Sequence, residues 1–154
     1  MPASDVTIRP ALTDDVPQLV ALLYEQFTEH EIHLEVREVE DGIRGLLERP
    51  DRGLILAAGR GKSLIGLAVV SFVWTVEHAG LSAWLDELFV VAPERGLGIG
   101  ARLAATAVAA AHDAGCLAVD LEVNQGHERV EHLYERLGFR RHQRRRWVKR
   151  LGTR

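Results

Sequence analysis

Gly96, Gly98 and Gly100 stand between an apolar run and a helix-forming run, and that placement makes a phosphate cradle. Residues 85–91 are apolar and β-branched enough for a buried strand. Pro93 stops it, because proline has no N–H for a ladder. Residues 101–111 are strong helix formers. The N–H groups of Gly96, Leu97, Gly98, Ile99, Gly100 and Ala101 would then gather at the positive end of a helix. A phosphate or pyrophosphate is the natural guest there.

Three phosphate-binding patterns compete for this turn. A nucleoside-triphosphate loop needs a lysine and a hydroxyl after its last glycine, and both are missing. A dinucleotide fingerprint, Gly-x-Gly-x-x-Gly/Ala, fits Gly96 to Ala101 letter for letter, with Asp120 or Glu122 near the expected acidic position. The third pattern is Arg-x-x-Gly-x-Gly, carried by Arg95, Gly98 and Gly100. Other groups able to do chemistry are scattered. Glu25, Glu29, Glu31, Glu35, Glu38, Glu40 and Asp41 crowd one early region, and a run of arginines crowds the C-terminus. His30 and His33 have roughly helical spacing, but a solvated or pocket role suits them better than a metal site.

The elements that must position these groups read in order as β-α-α-β-β-β-α-β-α-β. A short strand at residues 6–10 precedes a helix opened by Thr13, Asp14 and Asp15. A second helix fits residues 36–48, with Val39, Ile43, Leu46 and Leu47 on one face. Strands follow at 53–58, 64–76 and 84–91. Beyond the cradle helix, residues 117–124 alternate as a strand, residues 127–137 form a short helix, and residues 141–151 read as a last strand or hairpin. Strand alternation puts Asp86 and Leu88 on one face, and Leu85, Glu87, Phe89 and Val91 on the other. Hairpins come first and a crossover second, so the fold class is α/β with a mixed sheet. The dinucleotide fingerprint belongs to the first strand of a doubly wound parallel sheet, and this order leaves no chain for one.

The 154 residues argue for a single domain spanning 1–154. A net charge of −3 gives no global attraction to nucleic acid. The single cysteine, Cys116, rules out an internal disulfide and suits a reducing compartment. No apolar run approaches a membrane helix and no export signal shows, so the expectation is a cytoplasmic protein away from the membrane.

The cradle, with Val90, Val91 and Pro93 before it, resembles the acetyl-CoA pyrophosphate loop of the GNAT N-acetyltransferase superfamily. The resemblance extends to Leu121-Glu122-Val123, to Leu133-Tyr134 with Gly138-Phe139, and to the opening Thr7 to Ala11. It implies a GNAT-like fold with splayed central strands. It also implies acetyl-CoA as co-substrate, its pyrophosphate on residues 95–101 and its pantetheine arm against the backbone of Val90 and Val91. Tyr134 matches the family tyrosine that protonates the departing thiolate. For the base, Glu87 comes before Glu122, which aligns with an acid proposed in related ribosomal-protein acetyltransferases. The family's cofactor-contacting asparagine is replaced by His127, with Asn124 nearby as the other candidate. The early acids fall where the family walls its acceptor pocket, which favours a cationic amine. No metal is needed, and a homodimer is expected. The reading in another class is a non-catalytic acyl-CoA-binding module, and Tyr134 argues against it.

Overall fold

The computed structural model describes residues 3–152 and divides into two compact units, residues 1–122 and 123–154. The first holds β1 (Thr7–Pro10), α1 (Val16–Glu29), α2 (Val36–Leu47), β2 (Gly53–Arg60), β3 (Ser63–Thr75), β4 (Gly80–Val90), α3 (Ile99–Asp113) and β5 (Val119–Leu121). The five strands lie in sequence order. The first four pair antiparallel, and β4 and β5 pair in parallel across the α3 crossover. This is the mixed sheet that the order of hairpins and crossover implies.

Odd-numbered β3 residues such as Leu67 and Val69 join Ile55, Ala57 and Phe89 in a core with Leu19, Leu22 and Leu23 of α1 and Val39 and Ile43 of α2. Even-numbered ones face α3: a Cβ on Gly66 would meet Leu103 Cδ1 at 3.3 Å and the Phe89 carbonyl at 2.8 Å, so only glycine fits there. The entry to α1 is fixed by Asp15, whose buried carboxylate accepts from Arg9 Nη1 (2.7 Å), Arg9 Nη2 (2.9 Å) and Leu12 N–H (2.7 Å). The Arg9 guanidinium holds that carboxyl below its ordinary range.

Two expectations change. β5 spans three residues where eight alternate in the sequence. Residues 141–151 form neither strand nor hairpin, and Trp147, Val148 and Leu151 are exposed. The physical reason is composition: arginines and a lysine occupy both alternate sets, leaving no apolar face to bury. The second unit keeps α4 (Glu128–Arg136) as its one helix among the described residues.

Candidate active site

The cradle forms as a tight turn, Ala92–Glu94, followed by an extended Arg95 and two left-handed glycines. Gly96 and Gly98 have φ of 81° and 79°, where a side chain would be strained, and a Cβ on either would meet nothing within 4 Å. The approach to the backbone is therefore open. Gly98 caps α3, and the first helical bond runs from Arg102 N–H to the Gly98 carbonyl (3.1 Å). The N–H groups of Ile99, Gly100 and Ala101 thus precede the helical ladder and point out of the helix end. Arg95 does something the pattern does not reveal. Its Nε donates to the Val90 carbonyl (2.7 Å), its Nη2 donates to both Glu29 oxygens (3.0 Å), and its guanidinium lies 5.3 Å from the centre of the Phe89 ring. The side chain staples the cradle to β4 and to the end of α1.

β4 leads into the cradle, and its pairing with β5 covers only Ala83–Leu85. Beyond Leu85 the two strands no longer pair, which is the splay expected of the fold. Val91 donates its N–H to the Ile65 carbonyl (3.0 Å) and accepts from Glu94 N–H (2.9 Å). Backbone alternation then turns Leu88 and Val90, rather than Val91, toward the outer edge. Val91, expected to meet the pantetheine arm, thus has both its backbone groups engaged within the chain, and Leu88 and Val90 are the outer-edge positions before the cradle.

A β-bulge overturns the expected faces of the acids. Leu85 stands opposite Val70, while Glu87 stands opposite Val69, so Asp86 is an extra residue. Residues opposite each other share a face. Leu85 is therefore on the α3 face with Val70, and Glu87 is on the α1–α2 face with Val69. Asp86 accepts from the Ser71 hydroxyl, and Ser71 stands opposite Trp84 on that same α1–α2 face. Asp86 and Glu87 thus lie side by side, not on opposite faces. Asp120, paired with Trp84, faces the same way. It also accepts from His78 Nε2 (2.8 Å), tying the β3–β4 turn to β5. Glu122 follows β5 by one residue and is exposed.

The remaining expected site residues lie in the second unit. Tyr134 is buried, its ring edge-on to Phe139 with centroids 5.8 Å apart. Burial pushes its phenol up to about 12, so it is protonated at neutral pH. His127 stands at the start of α4 and donates its backbone N–H to the Asn124 carbonyl (3.2 Å); both residues are exposed.

A family model described as "Acetyltransferase (GNAT) family" matches residues 16–139, most of the chain. The chain belongs to this acetyltransferase family. It is similar to the aminoalkylphosphonate N-acetyltransferase of Salmonella typhimurium, with 28% identity over 86% of this chain and 84% of that protein. Among solved structures it resembles an integron cassette protein from the mobile metagenome of a salt marsh: TM-score 0.83, 28% identity, 96% of this chain and 91% of the other. It also shares its fold with aminoglycoside N-acetyltransferase AAC(6')-Iy, solved in complex with CoA: TM-score 0.81, 17% identity, 96% and 95% covered.

As a GNAT acetyltransferase the chain takes its acetyl group from acetyl-CoA. The open glycine cradle and the free-standing N–H groups at the start of α3 suit the pyrophosphate of that donor. The family comparison retires the non-catalytic module, and the mostly antiparallel strand order retires the nicotinamide reading. The early acids are less available than their number suggests. Glu38 accepts from Glu35 N–H to cap α2 (2.8 Å), Glu40 pairs with Arg44 (2.7 Å), and Glu29 pairs with Arg95. Among the described residues no group of three or more His, Cys, Asp or Glu is placed to hold a metal ion, and no helix is long and apolar enough to cross a membrane.

The bulge, the Ser71–Asp86 bond and the Arg95 staple were invisible in the sequence. Two adjacent acids in an apolar strand, Asp86-Glu87, were the one available signal.

Proposed function

We propose that this acetyltransferase transfers the acetyl group to a primary amine on a small cationic or zwitterionic molecule, by direct attack within a ternary complex. One observation carries the reading. The β4 bulge sets Asp86 and Glu87 on one face, at the stretch where β4 has left β5 and a few residues before the phosphate cradle. Two neighbouring carboxylates attract an ammonium group and hold it where the thioester would end.

In this reading the outer-edge backbone of Leu88 and Val90 pairs with the pantetheine arm, and the start of α3 holds the pyrophosphate. Glu87, half-buried on the α1–α2 face, takes the ammonium proton; Asp86 adds negative charge, oriented by Ser71. Glu122 is the second candidate for the base. The amine attacks the thioester carbon, the tetrahedral intermediate gives up its surplus N–H proton to solvent, and the carbon–sulfur bond breaks to leave the amide. Tyr134 is the acid of this proposal. Its neutral phenol keeps a proton to give to the thiolate. His127 and Asn124 are the two residues proposed to take over the cofactor contact of the family's asparagine. A homodimer remains our reading, supported by the exposed Trp147, Val148 and Leu151.

The experiment is thiol release from acetyl-CoA against spermidine, tobramycin, 2-aminoethylphosphonate, glycine and an N-terminal peptide. The phosphonate is included because of the Salmonella relative's name. Turnover of at least one small amine, with intersecting initial-velocity lines, is expected. Parallel lines would replace direct attack with an acyl-enzyme. Turnover of the peptide alone would replace the small-molecule assignment.

A further inference from the structure

On the α1–α2 face of the sheet the apolar core ends at Val69 and Phe89. Next on that face come Ser71 of β3, Trp84 of β4 and Asp120 of β5, standing opposite one another across the three strands. All three are only half-buried. A tryptophan has enough apolar area to anchor a core, yet this one lies between a hydroxyl and a carboxylate, with part of its surface open to solvent. Core packing does not account for that choice of residue.

The polar groups around the ring are held in place. The Ser71 hydroxyl donates to Asp86, which brings that carboxylate beside the Ser71–Trp84 pair. Asp120 is bonded to His78 Nε2 at 2.8 Å. Neighbouring strands lie about 4.8 Å apart, so Ser71 and Asp120 are roughly 10 Å apart and Trp84 fills the gap between them. Glu87 follows Trp84 by three residues, and the bulge puts it on the same face. An indole face is the best aromatic partner for a cation, and carboxylates on both sides of it draw cations in.

We propose that Trp84 is a specificity-determining residue: its indole face holds a second ammonium group of the acceptor while Glu87 receives the first. This rests on the amine-acetylation reading above and narrows it. The favoured acceptor is a diamine or polyamine whose charges are separated by a few methylenes. Its second ammonium lies against the ring between Asp86 and Asp120, and its methylenes cover the indole. A zwitterion is disfavoured, because its anionic end would meet the negative face of the ring and the two carboxylates.

The test uses the full chain with putrescine, butylamine and 2-aminoethylphosphonate as probes. Butylamine keeps the methylenes of putrescine and lacks its second charge. The wild type should show a putrescine KM about tenfold or more below that of butylamine. Trp84→Leu should raise the putrescine KM by about tenfold, with the KM for butylamine and for acetyl-CoA within about twofold. Trp84→Phe keeps an aromatic face and should raise the putrescine KM by only about threefold. Binding is read separately, with CoA present, from the emission of Trp84 in a chain carrying Trp74→Phe and Trp147→Phe, both at exposed positions. Putrescine should change that emission saturably, and 2-aminoethylphosphonate should not. An unchanged putrescine KM in Trp84→Leu overturns the assignment. So does a wild type that takes butylamine or the phosphonate as well as putrescine, or a Trp84→Leu that melts lower and raises every KM, which would make the ring structural. A saturable emission change without turnover of any probe supports the ring's role and sinks the acetylation reading; turnover of putrescine with no emission change does the reverse.

Discussion

Tyr134 permits a worked prediction, because its burial shifts a proton that can be followed in two ways. Its phenol is pushed up to about 12 by loss of solvent, against an ordinary value near 10. The folded value is raised, so the neutral phenol favours the folded chain below pH 10, and that advantage is lost as pH rises toward 12. In this window the unfolded chain releases the proton and the folded one does not. The full gap of two units is worth about 2.7 kcal/mol, and at pH 11 about half of it, roughly 1.4 kcal/mol, is already lost. Tyr134→Phe removes the titration and keeps the ring against Phe139. Urea midpoints of both proteins at pH 8, 9, 10 and 11 give the difference directly. The stability gap should move by about 1.4 kcal/mol in favour of the variant between pH 8 and pH 11. The chain has two tyrosines, so ultraviolet titration should show one phenol ionising well after the other. The same variant should lose about 10²-fold or more in kcat, with KM for acetyl-CoA little changed. A Tyr134 that ionises near pH 10, with no pH-dependent gap, would refute the burial argument. A variant with full kcat would refute the acid.

Other outcomes follow from the geometry. Gly98→Ala forces an alanine into φ 79° and should cost about 1–2 kcal/mol while weakening CoA binding, read by calorimetry and melting. Arg95→Ala removes the Val90 bond and the Phe89 stack and should cost about 2 kcal/mol, whereas Glu29→Gln, at an exposed pair, should cost under about 0.5 kcal/mol. Asp15→Asn should cost about 2 kcal/mol at pH 7. Because the folded Asp15 carboxyl is held low, its contribution is present above the ordinary carboxylate range and fades as pH falls through the folded value; the gap between the denaturant midpoints of wild type and Asp15→Asn should be smaller at pH 3 than at pH 7. Glu87→Gln should lower kcat more than Asp86→Asn, whose effect should fall mainly on the amine KM.

The chain order alone determined most of the scaffold. Strand, glycine turn and helix are local events. Pro93 ends one, two left-handed glycines make the next, and an alanine-rich run propagates the third. Periodicity likewise placed α1 and α2, because each buries one face, and continuous apolarity placed the central hairpin strands, which are covered on both. Periodicity failed where no face is buried: residues 141–151 alternate nothing against the core, and β5 stops once β4 turns away. The site itself was decided by tertiary structure. Strand alternation assigns faces only while the ladder keeps register, and the extra residue at Asp86 is set by how β3 pairs with β4, across a separation that no local pattern encodes. The partner of Arg95 is Glu29, 66 residues away, and the polar neighbours of Trp84 show only once three strands have paired. The glycine cradle was legible because its chemistry is in its own backbone. The acids beside it became neighbours only when two strands had chosen their register.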